Sequence, residues 1–300
     1  MNERPGEPSA LHEADSSSRL GDAEDAAHSR RRADRSSATR SYYVCGLRVD
    51  SLGRDEALAA IAALVEQRGF DRIVTPNIDH VALAQRDELF REAVNTAALC
   101  LPDGRWLKRA SRLSGARLQD VFTGRKLVDP LCAMAARCGW RVYLLGSRGN
   151  VASIAARVLR ERHPALEIVG ARSPSDRFGQ SEAESADILL ELERLHPEIL
   201  FLALGAPKSE KWMLRHESRI CAKVGIAVGY ALDVIAGAIP ECPSWMTRAG
   251  LEWSHRLRHE PRRLWRRYLL RDPYCIYQIL KSRPEARHGA VQNSRHDDAE

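Results

Sequence analysis

Short apolar runs that do not alternate with polar residues recur along this chain. Each is followed by a turn holding Gly, Pro or Asp, and then by a longer segment with apolar positions three and four apart. The clearest case is Ile199 to Met213, ILFLALGAPKSEKWM. Six apolar residues from Ile199 to Leu204 with no polar position among them suit a strand covered on both faces, as a parallel sheet flanked by helices requires. The break at Gly205 and Pro207 reads as a loop feeding a helix.

The same grammar repeats from Tyr42 onward. VCGLRVD reads as a short strand, and SLGRDEALAAIAALVEQRG as a helix with Leu58, Ile61, Ala62 and Val65 on one face. RIVTPN is a strand ending at Thr75-Pro76, followed by one helix through HVALAQRDELFREAVNTA. Ala98 to Leu101 is the next strand, with a turn at Pro102-Asp103-Gly104 and a helix from Arg105. RVYLLG and LEIVGA are strands; SEAESADILLELERLHP is a helix opened by Ser181 with Glu184 three residues on. VGIAVGYALDVIAG is a buried strand running into a loop that carries Gly and Asp233. Alternating strands and helices predict a doubly wound, Rossmann-like α/β domain over 41–243.

Composition sets the limits of that domain. Residues 1–40 are rich in Ser, Ala, Arg, Asp and Glu with no periodicity, so disorder is expected there, as it is for the polar tail at 284–300. The chain is 300 residues long, 44% hydrophobic and 29% charged, and no stretch approaches the roughly 20 apolar residues of a spanning helix. The first thirty residues are acidic and hold no apolar run, so no secretory signal is visible and a cytoplasmic protein is expected. Seven scattered cysteines without a CxxC pair read as small buried hydrophobes in a reducing compartment.

Charge changes the picture at one place. The net charge is +6, yet between Trp245 and Arg283 ten Lys or Arg face only three acids. Residues 244–283 therefore read as a helical, basic appendage. Within it Pro261 to Arg271 predicts a helix with Arg262, Arg263, Arg266 and Arg267 on one side and Leu264, Trp265, Tyr268 and Leu269 on the other. That suits an anionic membrane surface, or a core helix with a solvated basic face.

Candidate chemistry sits at the carboxyl ends of the strands, where ligands of such sheets bind. Gly205 allows close backbone approach, Pro207 begins the next helix, and Lys208 sets a cation beside amides that favour phosphate. Asp103 and Asp233 each fit a turn or a functional acid, and the residues alone leave both open. Gly146 and Gly149 do not complete a GxGxxG fingerprint, which argues against a dinucleotide-dependent oxidoreductase. Trp265 and Tyr268 on the basic helix argue against nucleic acid as the partner. Walker A, HExxH and GxSxG motifs are absent, and His255 and His259 lack a third ligand nearby, so no metal site is assigned.

Four motifs in order, TPNID at 75–79, PDG at 102–104, ALGAPKSEKW at 203–212 and GLEWSHRLRHEPRRLWRRYL at 250–269, resemble the TagA/WecG/CpsF glycosyltransferases, glycosyltransferase family 26, over roughly residues 42–272. The resemblance implies an inverting, metal-independent transfer with no cofactor. A sugar of N-acetylmannosamine or glucose type would pass from a UDP-sugar to a polyprenyl-diphosphate-linked saccharide, with the enzyme peripheral on the inner face of the cell membrane. It makes Asp103 the catalytic base, with Thr75 and Asn77 of the TPN motif beside it. It sets Arg256, Arg263 and Arg266 over the diphosphate, and the nucleotide against Gly205 to Ser209 and Asp233. Departures from the family pattern fall at Val121, Lys126, Ser209 and the ECP at 241–243, which leaves the sugar open. Homo-oligomer formation is open too.

Overall fold

The computed structural model describes residues 40–113, 115–176, 178, 181–259, 261–281 and 285–287. At its centre is a parallel six-stranded sheet of β3 (Asp71–Val74), β4 (Leu99–Cys100), β5 (Arg141–Gly146), β6 (Glu167–Arg172), β7 (Ile199–Ala203) and β8 (Val224–Ala227), in the order β4-β3-β8-β7-β5-β6. β7 is buried throughout, and alternate residues feed two separate cores: Leu200 and Leu202 pack with Phe70, Tyr143 and Met213, while Ile199, Phe201 and Ala203 pack with Val142, Leu159 and Ile226. A strand with apolar residues on both faces was the expectation for this stretch, and the two cores are its physical reason.

Helices cover both faces. On one lie α1 (Arg54–Val65), α5 (Gly124–Cys138) and α6 (Val151–Arg162); on the other lie α2 (Ile78–Ala84), α3 (Glu88–Asn95), α7 (Glu182–Leu195) and α8 (Lys208–Arg215). The chain leaving β3 and β7 passes to the second face, whereas that leaving β8 enters α9 (Ala231–Ile235), whose Leu232 and Ile235 join the first. The backbone therefore diverges beside β8 at the carboxyl edge and opens a crevice there.

Local structure departs from the sequence reading in identifiable ways. The expected single strand VCGLRVD is the end of a hairpin, β1 (Ser41–Val44) and β2 (Leu47–Asp50). Cys45 and Gly46 make its two-residue turn with positive φ of 48° and 77°. Asp50 anchors it to the main sheet, accepting from Ser41 Oγ at 2.7 Å, Arg48 Nη2 at 3.0 Å and the Cys100 amide at 2.8 Å. The helix expected over 80–97 is two, because Asp87 caps a new start by accepting from the Phe90 amide at 3.1 Å. The buried face of α1 is Ala57, Ile61, Leu64 and Val65, with Leu58 and Ala62 at its edge. Ser181 caps α7 through the Glu184 amide at 3.2 Å, but the Glu184 carboxylate turns away to Ser175. Only Cys100, Cys132 and Cys275 are buried; Cys138 is exposed and the other three are half-buried.

After Pro243 the chain is helical: α10 (Ser244–Ala249), α11 (Glu252–His259), α12 (Pro261–Arg266), a π-type segment Arg267–Arg271, and α13 (Asp272–Lys281). The π-type turn holds more residues than an α turn and rotates α13 relative to α12. The expected single apolar face is accordingly divided. Leu264 is buried and Tyr268 turns inward, Leu269 lines the cleft while staying exposed, and Trp265 faces out. Trp106 Nε1 donates to Gly250 O at 3.0 Å, and Arg271 meets Asp79 at 2.7 Å. These contacts hold the C-terminal helices beside the ends of β3 and β4. In the tail expected to be structureless, Glu285–Arg287 form β9, antiparallel to β1; residues 1–39 and the rest of that tail lie outside the described residues.

Candidate active site

Two turns sewn to each other form one wall of the crevice. After β3, the Thr75 hydroxyl donates to Ala227 O at 3.0 Å and so ties β3 to the end of β8. Its proton is committed to that carbonyl, which leaves the oxygen to accept from a ligand. Asn77 caps α2: its Oδ1 accepts from the His80 amide at 3.2 Å, and its own amide donates to His80 Nδ1 at 3.3 Å. After β4, the Asp103 amide donates to Pro76 O at 2.7 Å, so the two turns are locked in register. Gly104 follows with φ of 88°, a left-handed conformation that lets α4 (Arg105–Leu113) depart sharply.

The opposite wall comes from β7 and α8. Gly205 has φ of 77°, Ala206-Pro207 is a cis peptide, and Pro207 is the cap of α8. The amides of Lys208 and Ser209 both turn back to Gly205 O, at 2.9 and 3.3 Å. These two amides, beside which Lys208 was expected to set its charge, are engaged within the turn. Lys208 itself is exposed, with Nζ donating to Asp176 O at 3.4 Å. The β5 end comes close as well. A Cβ on Gly146 would lie 2.4 Å from the Ala203 backbone, and only glycine permits this approach.

The floor and roof meet at Tyr230, which opens α9. Arg256 of α11 stacks its guanidinium on the Tyr230 ring, 3.8 Å from the centroid. Burial pushes the Tyr230 phenol up to about 12, with the charge of Arg256 opposing and that of Asp103 adding to the rise. Both groups thus lie within electrostatic reach of one ring. Asp233 accepts from Ser147 Oγ at 3.0 Å, joining the β8 and β5 loops.

Together these residues enclose a cleft of about 970 Å³, large enough for a nucleotide-linked substrate. Thr75, Asn77, Asp103, Gly205, Pro207, Lys208, Ser209, Asp233 and Arg256 all line it. Arg266 does not; it is exposed with its guanidinium 5.3 Å from the Trp265 centroid. The side chain of Arg263 lies outside the described residues. Of the departures from the family pattern, Lys126, Ser209 and Cys242 line the cleft and Val121 does not. The His255 and His259 rings lie 4.7 Å apart, tilted by 58°, and burial, His259 and Arg258 lower the His255 pKa. Among the described residues no three His, Cys, Asp or Glu side chains gather as metal ligands.

Sequence reasoning missed Tyr230, Ser147, His80 and Glu210, all of which line the cleft. Tyr230 carried a faint signal, since it stands between the β8 run and Asp233. Glu210 stood inside the ALGAPKSEKW motif without being singled out, and Ser147 and His80 carried no signal.

A profile described as the glycosyl transferase WecG/TagA/CpsF family matches residues 42–289. The chain belongs to this family. It is 30% identical over 208 residues to an N-acetylglucosaminyldiphosphoundecaprenol N-acetyl-beta-D-mannosaminyltransferase of Bacillus subtilis (strain 168), covering 69% of this chain and 77% of the relative. It is 28% identical over 211 residues to the protein of the same name from Staphylococcus aureus (strain MRSA252), covering 70% and 80%. Membership in the WecG/TagA/CpsF family makes the chain a glycosyltransferase, and the oxidoreductase and nucleic-acid readings lapse.

Proposed function

We propose that this glycosyltransferase moves an N-acetylmannosamine-type sugar from a UDP-sugar onto a polyprenyl-diphosphate-linked saccharide, with inversion and without a metal. The acceptor class follows the names of the relatives. The observation that carries the reading is the presence of Asp103 and Arg256 in one cleft, both within electrostatic reach of Tyr230. Asp103 takes the proton from the acceptor hydroxyl as that oxygen attacks the anomeric carbon. The bond from that carbon to UDP breaks on the opposite face of the sugar. Charge developing on the leaving diphosphate is met by Arg256 and Lys208. Thr75 and Asn77 hold the turn against which Asp103 is fixed.

Membrane attachment suits a lipid-linked acceptor. Trp265, Leu269, Leu270, Tyr274, Tyr277 and Leu280 are exposed on a segment that also carries the basic excess. Large apolar groups beside cations favour the interface of an anionic bilayer. Among the described residues no helix is long and apolar enough to cross a membrane.

The test is transfer from UDP-N-acetylhexosamines to a water-soluble analogue of an N-acetylglucosaminyl diphospholipid, with and without EDTA. Turnover that persists in EDTA and yields the inverted anomer is the expected result. Retention of configuration, or loss of turnover on chelation restored by a divalent cation, would contradict it.

A further inference from the structure

The first turn of α8 holds two buried polar groups that the mechanism above does not use. Glu210 is 3% exposed and Ser209 1%, and both line the cleft. Glu210 Oε2 and Ser209 Oγ have no hydrogen-bond partner among the described residues. A buried carboxyl oxygen left unsatisfied costs stability, because water no longer solvates it and nothing replaces the water. Burial pushes the Glu210 carboxyl up to about 7, opposed only by its own backbone N–H. The rest of α8 is conventionally packed, with Trp212 and Met213 in the core and Lys211 paired to Asp87.

We propose that Glu210, with Ser209 beside it, is a substrate-binding residue that hydrogen-bonds an uncharged O–H or N–H group of the glycosyl donor. The class of ligand follows from the chemistry. The ionised form of Glu210 repels phosphate oxygens, so an uncharged donor group suits it better than the diphosphate. The uncharged parts of a UDP-sugar offer such donors in two places: the sugar hydroxyls and acetamido N–H, and the uridine. Ser209 Oγ can both donate and accept, which completes a pair able to engage two neighbouring groups on the same moiety. The inference rests on the UDP-sugar reading given above.

The test pairs calorimetric titration with thermal melting on the full chain and on Glu210→Met and Glu210→Gln. The ligands are uridine, UDP and UDP-N-acetylmannosamine. Glu210→Met removes the polar atoms at nearly equal length, so it is expected to melt at or above the wild-type temperature while binding the sugar nucleotide about tenfold or more weakly. Glu210→Gln keeps a hydrogen-bonding end and is expected to recover part of that loss. Weakening confined to UDP-N-acetylmannosamine assigns the contact to the sugar, and equal weakening for uridine assigns it to the nucleoside. Unchanged affinity in Glu210→Met for ligands the wild type binds would overturn the inference. So would a melting temperature that falls together with affinity, since Glu210 would then be structural. A wild type that binds none of the three overturns the UDP-sugar reading itself, and this inference with it.

Discussion

The Arg256 guanidinium lies over Tyr230, 3.8 Å from the ring centroid, and so fixes a cation of the C-terminal helices above the end of β8. A planar guanidinium keeps its edge N–H groups available while its face is stacked. Arg256→Ala is expected to lower kcat by more than about tenfold, roughly 1.4 kcal/mol of barrier, with a soluble acceptor. Arg256→Lys is expected to recover little, because an ammonium on a flexible stem does not stack in the same way. Steady-state kinetics on both variants check this; full activity in Arg256→Lys would show that charge alone matters.

Arg266 stands apart from the cleft and beside Trp265 on the outer surface. Sequence reading grouped it with Arg256 as a diphosphate ligand, and the structure separates the two. Arg266→Ala is expected to weaken binding to anionic vesicles by about 1 kcal/mol, the contribution of one basic residue near such a surface. It should leave turnover of a soluble acceptor within about twofold of wild type, since its charge lies in solvent where ions screen it. Vesicle sedimentation and a soluble-acceptor assay, run on the same preparation, read the two effects separately. A tenfold loss with the soluble acceptor would return Arg266 to the diphosphate.

Gly124 opens α5 directly against the backbone after β8, where an added Cβ would stand 2.0 Å from Val228 O. No side chain yields there, because the opposing atoms are main chain. Gly124→Ala is expected to displace the loop leading to Tyr230 and to destabilise the fold by about 2 kcal/mol or more, as overpacking does. Urea denaturation measures it. At Gly149, where a Cβ meets nothing within 4 Å, the φ of 59° limits the cost of alanine to about 1 kcal/mol. Equal midpoints for the two variants would show that the contact at Gly124 relaxes freely.

The parallel sheet was legible because its strands are continuous apolar runs, and β7 is the extreme case. The β1-β2 hairpin was not, since Cys45-Gly46 turns inside what reads as one strand pattern. The break between α2 and α3 rests on a single capping contact at Asp87, which a continuous helical periodicity conceals. In the site, Asp103 and Asp233 stood out because each follows an apolar run, but the residues alone left their roles open; Thr75 and the role of Asp103 came from the family resemblance. Their partners could not. The stacking of Arg256 on Tyr230 joins segments far apart in sequence, and the burial of Glu210 depends on how α8 docks, which no local pattern encodes. The split of the C-terminal apolar face was hidden for a related reason: an α-helical wheel assumes a constant turn, and Arg267–Arg271 do not keep it.

Asp103 stands at the centre of the proposed chemistry, and its backbone is held by Pro76 whatever its side chain carries. Asp103→Asn therefore preserves shape and removes the base. The most direct measurement is single-turnover transfer by Asp103→Asn beside calorimetric titration of the same variant with UDP. UDP affinity within about twofold of wild type, with transfer slowed by about 10²-fold or more, is the expected result. Transfer at the wild-type rate in Asp103→Asn would contradict it.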